Sequence, residues 1–277
     1  MVPISQLSTA WDPAPLVLAA AAVAALRFAY AFLRLRRRGR FDHAGWDRAA
    51  LFGAGIALLT LPLVSPLDAA GDDYLLSAHM LQHVLIGDAG PALILVAVRG
   101  PLLAFMLPPA AVRFVFRNRP VHAFVAWISR PLPTLGLWVA ALGAWHVPRL
   151  YDGALRHPWA HDLEHASFVS AGILVWMQLV DPARTGRLTV GKRVAFAGAV
   201  FLLGQVLSDV LFLTSTPLYP AYADRAVRLF GLSPLADQQY AGLVMMAEQI
   251  LTLGTCVAIL GASALRPASR PARLAPI

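Results

Sequence analysis

Cysteine is nearly absent: Cys256 stands alone in 277 residues, which excludes an internal disulfide and any multi-cysteine metal cage. Charge is scarce as well. Asp, Glu, Lys and Arg make up 14% of the chain, against about 25% in an ordinary soluble domain. A soluble fold of this length would lack the polar residues to cover its surface. Acidic residues are the rarer sign, 15 against 23 Lys and Arg, for a net charge of +8. Such an excess of base suits a nucleic acid or a membrane, and the arginine positions must decide between them. The apolar–polar alternation of barrel strands is missing. The first fourteen residues hold no basic group, so no cleavable signal peptide is expected. No internal repeat or soluble module stands out.

What remains is apolar, at 58% of the residues. Runs rich in Leu, Ala and Val recur near residues 15–33, 49–65, 74–98, 132–148, 161–180, 194–214 and 238–264. A helical span needs about 17–25 residues, and the continuity of these runs fits helices. The expectation is an all-α, polytopic membrane bundle of about seven transmembrane helices in a single domain. Its core covers 15–265, followed by a flexible tail over 266–277. Residues 101–128, with Arg113, Arg117 and Arg119, read as an amphipathic helix lying along the interface. The loop from Ser215 to Gln238 has room for a short helix around Tyr222 to Phe230.

The basic residues choose an orientation. Loops on one side hold eighteen Lys and Arg, from Arg34 to Arg48, Arg99 to Arg130, Arg184 to Arg193, and Arg266 to Arg273. The opposite loops hold four, Arg149, Arg156, Arg225 and Arg228, and Arg27 lies within the first span. Positive charge stays on the cytoplasmic side. The N-terminus is therefore expected outside and the C-terminus in the cytoplasm of a bacterial inner membrane. Nucleic-acid binding is the poorer reading, because the charge sits in short loops beside spans.

Topology turns the histidines into a pattern. His79, His83, His146, His157, His161 and His165 fall at the outer ends of spans, and only His43 and His122 fall on the other side. His79 and His83 (HMLQH) are four apart, so both rings share a helix face. His161 and His165 (HDLEH) repeat the arrangement on another span, and His146 closes a third at similar depth. Helix bundles build metal sites by such convergence. An all-imidazole site suits copper, zinc, iron or nickel. Thioethers from Met80 and from Met245 or Met246 would favour Cu(I). For each residue singly the plainer reading is structural, an interfacial histidine or a packing methionine. Asp73, Asp162 and Glu164 are the acids near the cluster. HDLEH also matches the zinc-peptidase pattern H-x-x-E-H, a short motif with many chance matches. Deeper lie Asp88, in the break GDAGP, and Glu248, with Asp209 in the outer part of its span. Such carboxylates need a proton or a partner, for which Arg27 is the candidate. They form either a proton path or hydrogen bonds between helices.

The stretches HMLQH, GPALILVAVRGPL, WHVPRLYDGALRHPWAHDLEHASFVSAGILVWMQL and ADQQYAGLVMM resemble the CtaG-like cytochrome c oxidase assembly factor family, the seven-helix bacterial type. The resemblance covers roughly residues 50–260. It implies a non-enzymatic role in maturing a haem–copper oxidase, with copper as the metal. The implied partner is an oxidase subunit or a copper chaperone on the outer side. By resemblance the family's motifs fall on His79, His83, His146, His161 and His165, with Glu164, Asp237 and Met245. Met246-Ala247 departs from the pattern, where a tryptophan is expected. A metal transporter, a bis-imidazole haem protein and a zinc peptidase are the alternatives.

Overall fold

A computed structural model describes residues 1–265; the tail expected over 266–277 lies outside them. All regular structure in the described residues is helical. After a single turn at Ile4–Leu7, the helices are α1 (Pro15–Arg37), α2 (Trp46–Val64), α3 (Pro66–Asp73) and α4 (Leu76–Ala97). Then follow α5 (Pro101–Met106), α6 (Pro109–Arg117), α7 (Arg119–Ile128) and α8 (Pro131–Trp145). The rest are α9 (Pro148–Arg156), α10 (Pro158–Val180), α11 (Val190–Leu213), α12 (Pro220–Ala223) and α13 (Pro234–Leu265). Most of them open on proline, which has no N–H to leave unsatisfied in a first turn.

Among the described residues six helices, α1, α2, α4, α10, α11 and α13, are long and apolar enough to cross a membrane. A seventh span exists if α7 and α8, bent by 76° at residues 129–130, count as one. The stretch 101–128 is three short helices, α5 to α7, in place of the single amphipathic helix expected. Each of its breaks falls at a proline or Asn118, whose side chain caps α7. The loop after α11 holds only the four-residue α12 and a 3₁₀ turn at Leu229–Gly231. Its helix therefore ends near Tyr222, where the sequence reading had it begin.

One irregularity positions the site. Residues Leu85–Ala89 of α4 form a π-helical turn, in which Gly90 N donates to Leu85 O. Pro91 explains it: without an N–H it cannot bond Gly87 O, and its ring crowds that carbonyl. The widened turn carries Asp88 and packs on α10, where Gly172 meets it; a Cβ there would fall 1.8 Å from Gly87 O.

The core has two parts. Around the arginine-bearing ends of the helices it is apolar, with Phe28 stacked on Phe52 at 4.1 Å, Trp176 and Leu179. Around the histidine-bearing ends it is built from Leu76, Met80, Tyr151, Tyr219, Tyr222 and Met245.

Candidate metal centre

The first two turns of α4 and of α10 lie side by side. Helical spacing of four puts His79 above His83 and His161 above His165 on the facing sides. His79 is fully buried, and His83 and His165 are nearly so. Ring centroids are 4.3 Å apart for His79–His83, 4.2 Å for His161–His165 and 5.2 Å for both His79–His161 and His83–His165. One ring nitrogen from each of the four lies within 4.8 Å of the others. A tetrahedral metal with bonds of about 2.0–2.1 Å sets its nitrogens roughly 3.4 Å apart. Small side-chain rotations would close that difference.

Hydrogen bonds fix one tautomer. The Tyr222 hydroxyl donates to Gly71 O at 2.8 Å, so its oxygen is free to accept from His79 Nδ1, 3.2 Å away. His79 Nε2 then carries a bare lone pair and faces His83 Nε2 at 2.8 Å. Elsewhere in the cluster polar atoms are buried without partners: His83 Nδ1, His161 Nε2, His165 Nε2, Asp72 Oδ1 and Glu164 Oε1. Buried polar groups are normally paired. This set of orphaned imidazole nitrogens and carboxylate oxygens fits a cation.

Asp72 is the acid that meets the rings, with Oδ1 3.3 Å from His79 Nδ1 and 3.6 Å from His161 Nε2. Burial alone would raise its carboxyl, but the facing His79 and His161 rings and Arg225 outweigh that and hold it below its ordinary value. Its neighbour Asp73, named from the sequence, turns away to accept from Val2 N at 2.6 Å. Glu164 is buried, with Oε1 3.8 Å from His83 Nε2. Asp162 is exposed, as is His157.

The candidate histidines and methionines do not form one constellation. His79, His83, His161 and His165 come together. His146 stands apart, with Tyr151 and Phe168 lying between it and the others. Its Nε2 is 3.3 Å from Met80 Sδ. Met80 leaves α4 about 100° around from His79 and so faces this second place. Met245 lines the same cavity, of about 70 Å³. That is ample for several waters. His83, Asp88 and Glu248 lie on its wall too.

The deep acids fare differently from one another. Asp88 accepts from Trp176 Nε1 and, at 2.8 Å, from Thr252 Oγ1, so it ties α4 to α10 and α13. Glu248 lines the cavity near it. Asp209 accepts from Gln205 on its own helix at 2.9 Å. Arg27 reaches none of them: its Nε donates to Met106 O at 2.8 Å. The expected partnership of Arg27 with these acids is therefore absent. Asp237 makes no hydrogen bond to a histidine. Its carboxylate accepts from Leu76 N at 2.7 Å, Ser77 N at 3.1 Å and Ser77 Oγ at 2.6 Å, and so caps the helix that carries His79 and His83.

Sequence reasoning missed Asp72, Tyr151 and Tyr222. Asp72 had a signal, since GDDY offers two acids one residue apart, but choosing between them needs the phase of α3. The tyrosines had none, because α9 and α12 are short helices folded back over the cluster.

The family model of the cytochrome c oxidase caa3 assembly factor matches residues 26–266. Uncharacterized proteins of Mycobacterium bovis and Mycobacterium tuberculosis are each 26% identical over 256 residues, 86% of this chain. The chain spans only 37% of the length of those relatives. No solved structure matches it.

Proposed function

The chain belongs to the cytochrome c oxidase caa3 assembly factor family, and from that premise we propose that it holds copper for a haem–copper oxidase under assembly. The observation that carries the reading is the group of four histidines with unpartnered buried nitrogens. Neutral imidazole nitrogens bind copper without prior loss of a proton, and Asp72 supplies negative charge beside them. Tyr222 and Gly71 hold His79 in the tautomer that leaves Nε2 open. Copper is cargo here, so the work of these residues is to bind and release it.

The alternatives fit less well. A peptidase needs substrate to reach Glu164, which is 1% exposed. A haem needs a slot between opposed histidines, but His79, His83 and His165 are buried and the rings pack on one another in close pairs, with centroids 4.2–5.2 Å apart. Transport has one supporting feature, the cavity that runs from His83 to Asp88 and Glu248. Copper flux into liposomes would establish it.

The membrane placement belongs to the same proposal. Helix α8 has 15 residues and, at about 1.5 Å per residue, falls short of a hydrocarbon core of about 30 Å. Completed by part of α7 it gives a seventh span, and an odd number puts the two termini on opposite sides. The eighteen-to-four count of basic residues supports an outside N-terminus, with the histidines on the same side, in a bacterial inner membrane. An oxidase subunit or a copper chaperone on that side is the partner. A reporter fused after Arg273 should remain cytoplasmic and one in the loop before α13 should be exported. An exported C-terminal reporter would overturn the orientation.

The decisive experiment measures copper content and affinity of folded, purified His83→Ala and His165→Ala, with oxidase activity in membranes of the same strains. Both variants should lose the copper held by the four imidazoles and, with it, oxidase activity, while His43→Ala and His122→Ala keep both. Wild-type affinity should fall with decreasing pH, because a proton on a ring nitrogen competes with copper for the same lone pair. Full copper occupancy in both variants would reduce the cluster to a hydrogen-bonded polar patch. Lost copper with normal oxidase activity would keep the site and sink the assembly role.

A further inference from the structure

His146 and Met80 face each other in a way that neither satisfies. His146 Nδ1 lies 2.8 Å from Leu142 O. A carbonyl only accepts, so Nδ1 carries the proton and donates it there. Nε2 is then a bare lone pair, and its neighbour at 3.3 Å is the Met80 sulfur. A thioether has no proton to give. Two electron-pair donors therefore meet with no hydrogen between them. The reverse tautomer is worse, since it sets a bare Nδ1 against a carbonyl oxygen at 2.8 Å.

The surroundings leave few ways to relieve this contact. His146 is 7% exposed and Met80 1%. A second proton on the ring would bury an imidazolium among Leu142, Phe168 and two thioethers, a setting that penalises charge. A soft cation answers all of these demands at once. Met245, 4% exposed, lines the same cavity and belongs to the same packed cluster as Met80. Room for it exists in the cavity beside the pair.

We propose that Met80 Sδ, His146 Nε2 and Met245 Sδ form a second metal site, selective for Cu(I) and separate from the four-imidazole centre. Thioether sulfur is a soft ligand that favours Cu(I) over harder divalent ions. With bonds of about 2.0 Å to nitrogen and 2.3 Å to sulfur, lengths seen for zinc, a three-coordinate ion sets N and S roughly 3.7 Å apart. The observed 3.3 Å is short of that by a shift that side-chain rotation supplies. His83 borders both places: its ring faces the other three histidines and its side chain lines the cavity. The two sites thus share a wall, and copper released from the imidazoles has a soft site next to it. The inference uses donors outside the four-imidazole centre and stands or falls separately from it.

The test uses the full chain, purified in detergent and loaded with Cu(I) under reducing conditions against a chromophoric chelator. X-ray absorption at the copper edge reports the ligand atoms. Wild type should bind two equivalents and show sulfur as well as nitrogen scattering. The Met80→Leu/Met245→Leu double variant should lose the sulfur signal and one equivalent. Its affinity at that site should fall by more than the roughly 10–100-fold that losing an outer partner costs. Leucine conserves volume, and an unchanged Tm confirms the fold. His165→Ala should remove nitrogen-only copper and leave the sulfur-bound ion. If His165→Ala keeps all its copper, the four-imidazole reading fails and this one survives. Cu(I) bound by nitrogen alone in wild type, or full affinity in the double variant, overturns the second site.

Discussion

Where α4 and α10 begin, imidazoles, tyrosines and carboxylates are buried against one another; where the same helices end, arginines turn outward or cap carbonyls. Arg48 donates to Ala97 O at 3.3 Å and Arg99 O at 2.7 Å, and Arg193 pairs with Asp181 at 3.0 Å. These contacts tolerate long, adjustable side chains. The histidine end tolerates little, because it depends on backbones in contact. A Cβ on Gly71 would lie 3.0 Å from His79 Cα, and mid-span, two turns beyond His165, one on Gly172 would strike Gly87 O. At the arginine end, Gly191 has open space around it. A positive-inside signal needs only charge on the right loops, whereas a convergent polar site needs a fixed distance between helices.

The largest expected effect tests that distance. Gly172→Ala must push α10 away from the π-turn of α4 and separate the two histidine pairs. Overpacking of this kind costs about 1–3 kcal/mol, or more where backbone must move. Tm should drop and copper be lost, while Gly191→Ala stays within about 0.5 kcal/mol of wild type. Equal effects at the two glycines would erase the contrast between the ends.

A smaller effect is expected from helix caps. Asp237→Ala leaves Leu76 N and Ser77 N without their acceptor at the buried start of α4, a loss of about 1–2 kcal/mol. Copper affinity should weaken with it, because the helix start carries His79. Thr189→Ala removes an exposed cap of α11, with Thr189 Oγ1 3.4 Å from Lys192 N, and should cost only about 0.5 kcal/mol. Thermal unfolding and copper titration of both variants read the difference. An Asp237→Ala protein with wild-type affinity would show that the cap does not position the histidines.

The effect that appears only as pH changes concerns acids of opposite behaviour. Burial, and then the nearby charge of Asp72, pushes Asp68 from its ordinary 3.8 up to about 7. Such an acid stabilises the fold below its ordinary pKa, and that stability is lost as pH rises through the folded value. Asp68→Asn keeps an acceptor for Gln82 Nε2, now 2.6 Å away, and should flatten the loss between about pH 4 and 7. The gain above pH 7 is about 1–2 kcal/mol, discounted for remaining solvent contact. Asp181, at the arginine end, has the opposite sign. Slight burial would raise it, but N–H donors of Gly186 and Thr185, the Thr185 hydroxyl and Arg193 hold it lower. Its stability is present above its ordinary pKa and lost as pH falls, so Asp181→Asn should destabilise at neutral pH. Parallel Tm–pH curves for the two variants would contradict the assignment.

Much of the bundle was legible because membrane spans are a property of local composition. Each apolar run from 15–33 to 238–264 has a helix over it, since lipid leaves the backbone no other way to satisfy its N–H and C=O groups. Short helices escaped notice. Pro66–Asp73 and Pro148–Arg156 are too short and too polar to read as spans, although the second is strongly amphipathic, and each lays a face on the helix that follows it, α4 or α10. For the site, an i, i+4 pair shows which rings share a face, and that was enough to name His79, His83, His161 and His165.

The sequence by itself determined the helical class, the arginine side and the two histidine pairs, since each follows from residues near one another along the chain. Only tertiary structure decided which donors meet. It turned Asp72 toward the histidine rings and Asp73 toward Val2 and Arg225 from one short helix. It brought Tyr222 from 143 residues away onto His79, and used Asp237 as a cap across 161 residues. It also divided His146 and Met80 from the four imidazoles, because neighbouring residues on α4 point about 100° apart and meet different helices. Spacing along a chain fixes the face of one helix; the angle and separation between helices fix what that face touches.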